Sequence, residues 1–323
     1  MRIAVLGVGS IGSLIAGRLA LCPNVELCIV SRGEQAIHLK ETGLLLESPF
    51  PEECEWHVTP DSWTVCSKLD EIPLDWIRSA DYAIICGKSH DTEKLAVYAD
   101  KMLSPEGLCI SLQNGIGNEE ILSEILGEER VLGSTTTHGA IKISPGHTRW
   151  AGRGEIIIGT IPESGLSNDD PRIDNLLEYL EDADLSPKFA EDIVSELWTK
   201  LILNVAINPV TAICGIRNGK IKANELLLHA SCSAMYEAAM VARSIGINLP
   251  DDEKLFTKLS KLIDSTSDNE SSMLQDIKSG KITEIKSLCG EIEKYAELNG
   301  IQTPINSNFV ALVSGIEMTI SLN

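Results

Sequence analysis

The chain has 323 residues and a formal net charge of −20, from 47 acidic and 27 basic side chains. Its 43% hydrophobic and 23% charged content is that of a soluble globular protein and excludes general disorder and collagen-like repeats. No apolar run reaches the roughly 18–20 residues of a membrane span. The first residues do not read as a signal peptide, and the acidic field repels nucleic acid and anionic lipid. A cytoplasmic protein without nucleic-acid or membrane partners is expected. A small anionic ligand is still admitted, because placed cations and helix N-termini reverse the potential locally.

In chain order, short β-branched runs at residues 2–6, 26–31, 82–86, 108–112 and 130–132 alternate with helical patterns at 11–21, 91–102 and 118–125. That alternation predicts a parallel sheet with crossover helices. Residues 135–161 change to period-two stretches, broken by Ser144-Pro145-Gly146 and Gly152-Arg153-Gly154. They predict an antiparallel extension of the same sheet. A helix at 174–183 and a strand at 186–190 close a first domain, residues 1–190. Beyond Asp192 strand signals nearly vanish. Apolar residues recur at three- and four-residue spacing through 194–207, 226–245, 255–262 and 282–298, predicting an all-helical second domain, 191–323. The nine cysteines include no CxxC pair. Several, such as Cys28, Cys86 and Cys109, lie in apolar runs, and they read as reduced, buried thiols with no metal site.

Gly7, Gly9 and Gly12 form G-x-G-x-x-G directly after the first strand, with Val8, Ser10 and Ile11 between them. The first glycine allows a tight turn, the second lets a pyrophosphate approach the backbone, and the third permits close helix–strand packing. The following helix N-terminus favours the phosphate charge. Placed between strand and helix, the motif predicts a Rossmann-type dinucleotide-binding domain, hence an α/β fold followed by a helical domain. The second strand ends Val30-Ser31-Arg32, with Glu26 too early to hold a ribose hydroxyl. Arg32 and Ser31 suit a 2′-phosphate, which favours NADPH/NADP+. Lys88 and Asn114 each follow a strand, at the edge where ligands bind in such sheets. Lys88 reads equally as a cofactor or substrate contact and as a solvated loop lysine. Asn114 reads as a site residue or as half of an Asn-Gly turn.

The segment 197–215 is almost wholly apolar except for Lys200, Asn204 and Asn208, which recur every four residues and share one helix face. Buried polar groups require partners. Either an internal network or a polar ligand supplies them here. Partial desolvation lowers the pKa of an ammonium and makes it a proton donor near neutral pH. Hydride delivery to a ketone needs such an acid, with further donors around the oxygen. Lys200 suits the acid and the two asparagines suit the orienting groups. Pro209 is expected to end or kink the helix. In residues 271–284, Ser272 reads as a helix N-cap with Gln275 as its capping-box partner, or as a carboxylate ligand. Glu284 reads as a surface glutamate, or as a partner for a hydroxyl or for Lys200.

Together the motifs GVGSIG (7–12), QNG (113–115), GSTTTHGA (133–140), ELWTKLILNVAINPVTA (196–212), SSMLQDI (271–277) and TEI (283–285) resemble the ketopantoate reductase family. The resemblance covers nearly the whole chain. It implies NADPH-dependent reduction of 2-dehydropantoate to D-pantoate, in pantothenate and coenzyme A biosynthesis. It implies Lys200 as general acid, Glu284 beside it, and Asn204, Asn208 and Ser272 as substrate ligands. It also implies Asn114 near both cofactor and substrate, Arg32 at the phosphate, Lys88 on the cofactor side, and a homodimer. Similar proteins that act as D-2-hydroxyacid dehydrogenases on bulkier 2-keto acids, some with NAD, share these motifs, so that activity is the alternative. A non-catalytic NADP(H) sensor would keep the glycine loop without needing an acid.

Overall fold

The computed structural model describes residues 1–48 and 55–320. It forms two compact units, Met1–Gln113 with Gly117–Ile193, and Asn114–Ile116 with Val194–Asn323.

The first unit runs β1 (Arg2–Leu6), α1 (Ser10–Leu19), β2 (Glu26–Val30), α2 (Gly33–Glu41), β3 (Leu44–Glu47), β4 (Trp56–Val58) and β5 (Thr64–Cys66). It continues through β6 (Ala80–Ile85), α3 (Thr92–Met102), β7 (Leu103–Ser111), α4 (Asn118–Leu126) and β8 (Val131–Thr136). It closes with β9 (Gly139–Ser144), β10 (His147–Gly152), β11 (Ile156–Thr160), α5 (Pro171–Asp182) and β12 (Pro187–Phe189). The main sheet has the order β12-β11-β8-β7-β6-β1-β2-β5. After Arg2, strand β1 reads Ile3-Ala4-Val5-Leu6 without a polar residue, and these four are wholly buried, as in a central parallel strand covered on both faces. It pairs in parallel with β2 on one side and β6 on the other, Leu6 lying opposite both Val30 and Ile85. The strand order therefore reverses at β1, and the chain leaves β1, β2 and β6 at one edge, where open α/β sheets bind ligands.

The expectation that residues 135–161 extend this sheet holds for β11, which pairs antiparallel with β8. It fails for the hairpin β9–β10, which belongs to a second sheet of order β4-β3-β10-β9. The cause is a parallel pairing of β10 with β3, a strand too short to stand out in the sequence. The second sheet packs on α1, burying Leu44, Leu46, Thr148 and Trp150. Helix α1 is buried continuously from Gly12 to Leu19. Its apolar residues run all round, so it needs a cover on the side away from the main sheet. Arg18 completes that cover, its guanidinium 4.7 Å over Trp56 and donating to the Ala183 carbonyl at 2.9 Å.

The second unit contains α6 (Ile193–Cys214), α7 (Glu225–Ser244), α8 (Asp252–Ser265), α9 (Ser272–Lys278), α10 (Glu291–Leu298) and α11 (Pro304–Ile320). Among the described residues α6 is the one helix long and apolar enough to cross a membrane, and it is mostly buried inside the fold. Pro209 does not end it. The helix runs on to Cys214, and hydroxyls bond two carbonyls just before the proline. Ser231 donates to Ala206 O at 2.7 Å, and Thr211 Oγ1 lies 2.9 Å from Ile207 O. Residues 282–298 are not one helix either. A π-helical turn, Lys286–Gly290, precedes α10, and Thr283–Ile285 is irregular and buried. The eight cysteines within the described residues are all free thiols, and Cys54 lies outside those residues.

Candidate functional site

The glycine loop explains each of its glycines. Gly7 has φ +84°, and a Cβ there would sit 2.5 Å from the Gly87 backbone nitrogen. A Cβ on Gly12 would sit 2.8 Å from Gly7 O. Gly9 differs: a Cβ there would meet no heavy atom within 4 Å, so this backbone faces open space. Gly9 is also the N-cap of α1, which has no side-chain cap. Its first turn, with Ser10 and Ile11 half-buried, thus offers uncapped N–H groups beside an open backbone. Buried Val8 anchors the loop, since Gly7 N and Val8 N both donate to Val30 O, at 2.9 and 3.1 Å. These features fit a pyrophosphate-bearing dinucleotide.

Beside the loop, Ser31 is buried and donates its backbone N–H to Cys66 O at 3.0 Å. The Arg32 side chain is exposed, and its guanidinium forks onto Asp91 at 3.1 and 2.8 Å. Glu26 stands at the opposite end of β2, paired with Arg2 at 2.9 Å. Lys88 is half-buried and directly follows Gly87. Sequence reasoning assigned no role to Gln113, which braces this edge. Its Nε2 donates to Gly87 O at 3.1 Å, and its Oε1 accepts from Ser111 Oγ at 3.1 Å. The buried amide thus ties the Lys88 loop to the end of β7. Its sequence signals were its place in the QNG motif and at the close of an apolar strand. His138, within the GSTTTHGA segment, is structural: Nδ1 accepts from Gly154 N at 2.9 Å, and Nε2 faces Leu185 O at 3.0 Å. Burial lowers its pKa, and an Nδ1 that accepts from a backbone N–H carries no proton of its own.

In the second unit, Lys200, Asn204 and Asn208 line one face of α6; Lys200 and Asn204 are half-buried and Asn208 is buried. Thr211 continues this face by one turn, and its Oγ1 hydrogen-bonds to Ser271 Oγ at 2.7 Å. Ser271, not Ser272, is the N-cap of α9, accepting from Leu274 N at 3.2 Å. Gln275 donates to Glu270 O at 2.8 Å rather than completing a capping box around Ser272. Ser272 is therefore relieved of capping and sits exposed at the first residue of α9, held to α6 through its neighbour. Glu284 is only 6% exposed, so it is no surface glutamate. Its Oε2 accepts from Asn114 Nδ2 at 3.1 Å. The Asn-Gly turn packs tightly here: Gly115 has φ +89°, and a Cβ on it would lie 2.4 Å from Ser287 O. Asn114 thus serves both readings, turn residue and partner of a buried acid. No cluster of three His, Cys, Asp or Glu side chains able to hold a metal occurs among the described residues.

Comparison with known proteins gives a consistent set of matches. The model described as "Ketopantoate reductase PanE/ApbA" matches residues 3–163, and its C-terminal counterpart matches residues 192–317. A 2-dehydropantoate 2-reductase of Pyrococcus horikoshii is 34% identical over 319 residues, spanning 98% of either chain. The crystal structure of a PanE/ApbA family ketopantoate reductase from Ralstonia eutropha superposes with a TM-score of 0.85 at 28% identity, over 99% of this chain and 100% of that one. A D-mandelate dehydrogenase solved with NADH and anilino(oxo)acetate gives a TM-score of 0.88 at 21% identity, over 99% and 100% of the two chains. At that identity the likeness speaks for the fold alone.

Proposed function

Because this chain belongs to the ketopantoate reductase family, we propose that it reduces 2-dehydropantoate to D-pantoate with NADPH, as a step of pantothenate and coenzyme A biosynthesis. The observation that carries this reading is the stripe of Lys200, Asn204 and Asn208 on a helix that is otherwise largely apolar and mostly buried. An ammonium and two amides along one such face suit a small, polar, carbonyl-bearing ligand.

Bound reduced nicotinamide supplies the hydride to the keto carbon. The chain's own residues do the rest. The open backbone at Gly9 and the first turn of α1 hold the pyrophosphate, and Arg32, Ser31 and Lys88 hold the 2′-phosphate side. Arg32 exchanges its Asp91 fork for the phosphate, since carboxylate and phosphate each present two oxygens that accept from the planar guanidinium fork. Lys200 donates a hydrogen bond to the keto oxygen and delivers its proton there as negative charge develops. Asn204 and Asn208 orient the keto acid, while Ser272 and Asn114 bind its carboxylate. Glu284, held by Asn114, accepts from the 4-hydroxyl.

Absorbance at 340 nm tests this reading. NADPH oxidation is compared with 2-dehydropantoate, pyruvate, 2-ketoisovalerate and phenylglyoxylate, then repeated with NADH. The proposal expects 2-dehydropantoate with NADPH to show the highest kcat/KM. A higher value with phenylglyoxylate moves the chain to the D-2-hydroxyacid dehydrogenase reading. Tight NADPH binding without turnover on any keto acid would leave only a sensor.

A further inference from the structure

Glu284 sits in an irregular segment, and such a segment does not by itself hold a side chain to an angle. Its surroundings do so. On the upstream side, Thr283 is clamped by Glu317 from α11. Glu317 Oε1 accepts from Thr283 N at 2.7 Å and from Thr283 Oγ1 at 2.6 Å. Thr283 Oγ1 in turn accepts from Ile285 N at 3.2 Å, so the hydroxyl spans the backbone on both sides of Glu284. On the downstream side, Leu288 N donates to Glu284 O at 3.0 Å and opens the π-helical turn. Thr283, Glu284 and Glu317 are all buried. A buried carboxylate is costly unless it is well hydrogen-bonded, and an apolar residue would fill the same space at lower cost. Here the carboxylate fixes a backbone.

We propose that Glu317 is a positioning residue: through Thr283 it aims Glu284 at the substrate hydroxyl, so a residue of the C-terminal helix sets selectivity for a 4-hydroxylated 2-keto acid. The inference rests on the reading of Glu284 given above.

The test uses the full-length protein with 2-dehydropantoate and with 3,3-dimethyl-2-oxobutanoate, the same keto acid lacking the 4-hydroxyl. Misplacing a binding group by about 1 Å costs up to about 100-fold. Glu317→Ala is therefore expected to lower kcat/KM for 2-dehydropantoate by about 10–100-fold, and to leave the hydroxyl-free analogue and the Kd for NADPH unchanged. Glu317→Gln is expected to restore activity, because one oxygen accepts both bonds. The double variant with Glu284→Ala should be no worse than Glu284→Ala alone. Multiplying losses, or an equal loss on both keto acids, would overturn the inference. So would full activity of Glu317→Ala where Glu284→Ala is impaired. An unimpaired Glu284→Ala would instead overturn the underlying reading of Glu284. If Glu317→Ala does not fold, Thr283→Val decides: it keeps the N–H and shape but loses the hydroxyl. The same selective loss is expected, and an unselective loss or none refutes the clamp.

Discussion

Alanine at Gly7 and alanine at Gly9 separate what holds the loop together from what the loop holds. At Gly7 the φ of +84° costs a non-glycine residue about 1–3 kcal/mol. The added methyl also meets the Gly87 nitrogen and Cα at 2.5 and 2.6 Å. That neighbour is backbone in the adjacent strand exit and cannot rotate away, so overpacking adds about 1–3 kcal/mol. Together this is about 2–6 kcal/mol against a total stability of about 5–15 kcal/mol, and Tm should fall by about 5–20 °C. At Gly9 the φ is −91° and no heavy atom lies within 4 Å, so Tm should be close to that of the parent. The methyl there enters the space proposed for the pyrophosphate. Loss of one charge-assisted hydrogen bond costs about 1.5–3 kcal/mol, which raises Kd for NADPH by about 10–100-fold. Thermal unfolding by circular dichroism and titration of NADPH fluorescence measure the two effects. An unchanged Kd in Gly9→Ala would refute the pyrophosphate assignment, and an unchanged Tm in Gly7→Ala would refute the steric argument.

Other perturbations read other parts. Lys200→Ala should lower kcat by about 10²–10⁴-fold with NADPH affinity retained, measured at 340 nm; near-full turnover would remove the acid assignment. Arg32→Ala should weaken NADPH through loss of the phosphate contact and leave NADH nearly unaffected, so the ratio of the two kcat/KM values is the readout. Ser271→Ala should cost about 1 kcal/mol of stability by uncapping α9, whereas Ser272→Ala should raise KM for the keto acid at unchanged Tm. His138 carries a pH prediction. Its pKa is lowered in the folded chain from the ordinary 6.5, chiefly by burial, so below about pH 6.5 the unfolded chain takes up a proton that the folded chain refuses. Stability should therefore fall as pH drops through that window. Urea unfolding across pH 5–8 should show a weaker dependence in His138→Gln, and an identical dependence would refute the assignment.

The parts legible in the sequence are those whose cause is local. Strand β1 and the glycine turn are adjacent in the chain, and the period of four from Lys200 to Asn208 is a property of one helix. Features that depend on a distant partner were not legible. Two serines at 271 and 272 are equally able to cap a helix, and the choice is made by Thr211, 60 residues earlier. Pro209 reads as the end or a kink of its helix; that the helix continues to Cys214, with Ser231 and Thr211 bonded to carbonyls just before the proline, shows only in the fold. The burial of Glu284 depends on an irregular segment where the 3.6-residue pattern predicted a helix face. Gln113 is read as part of a motif, but its function as a brace depends on Gly87, which belongs to another loop.

The small sheet over α1 bears on how the first unit comes to be folded. Strands β3 and β10 meet although Glu47 and His147 are 100 residues apart. Pairings of such long range are late events, because the loop they close must be ordered before the contact stabilises anything. Helix α1, whose first turn shapes the cofactor loop, precedes the β9–β10 hairpin by more than 100 residues and gains its outer cover only after that hairpin has emerged. A nascent or truncated chain ending before that hairpin exposes the apolar outer side of α1. Such a fragment is a target for chaperones and proteases rather than a minimal nucleotide-binding module.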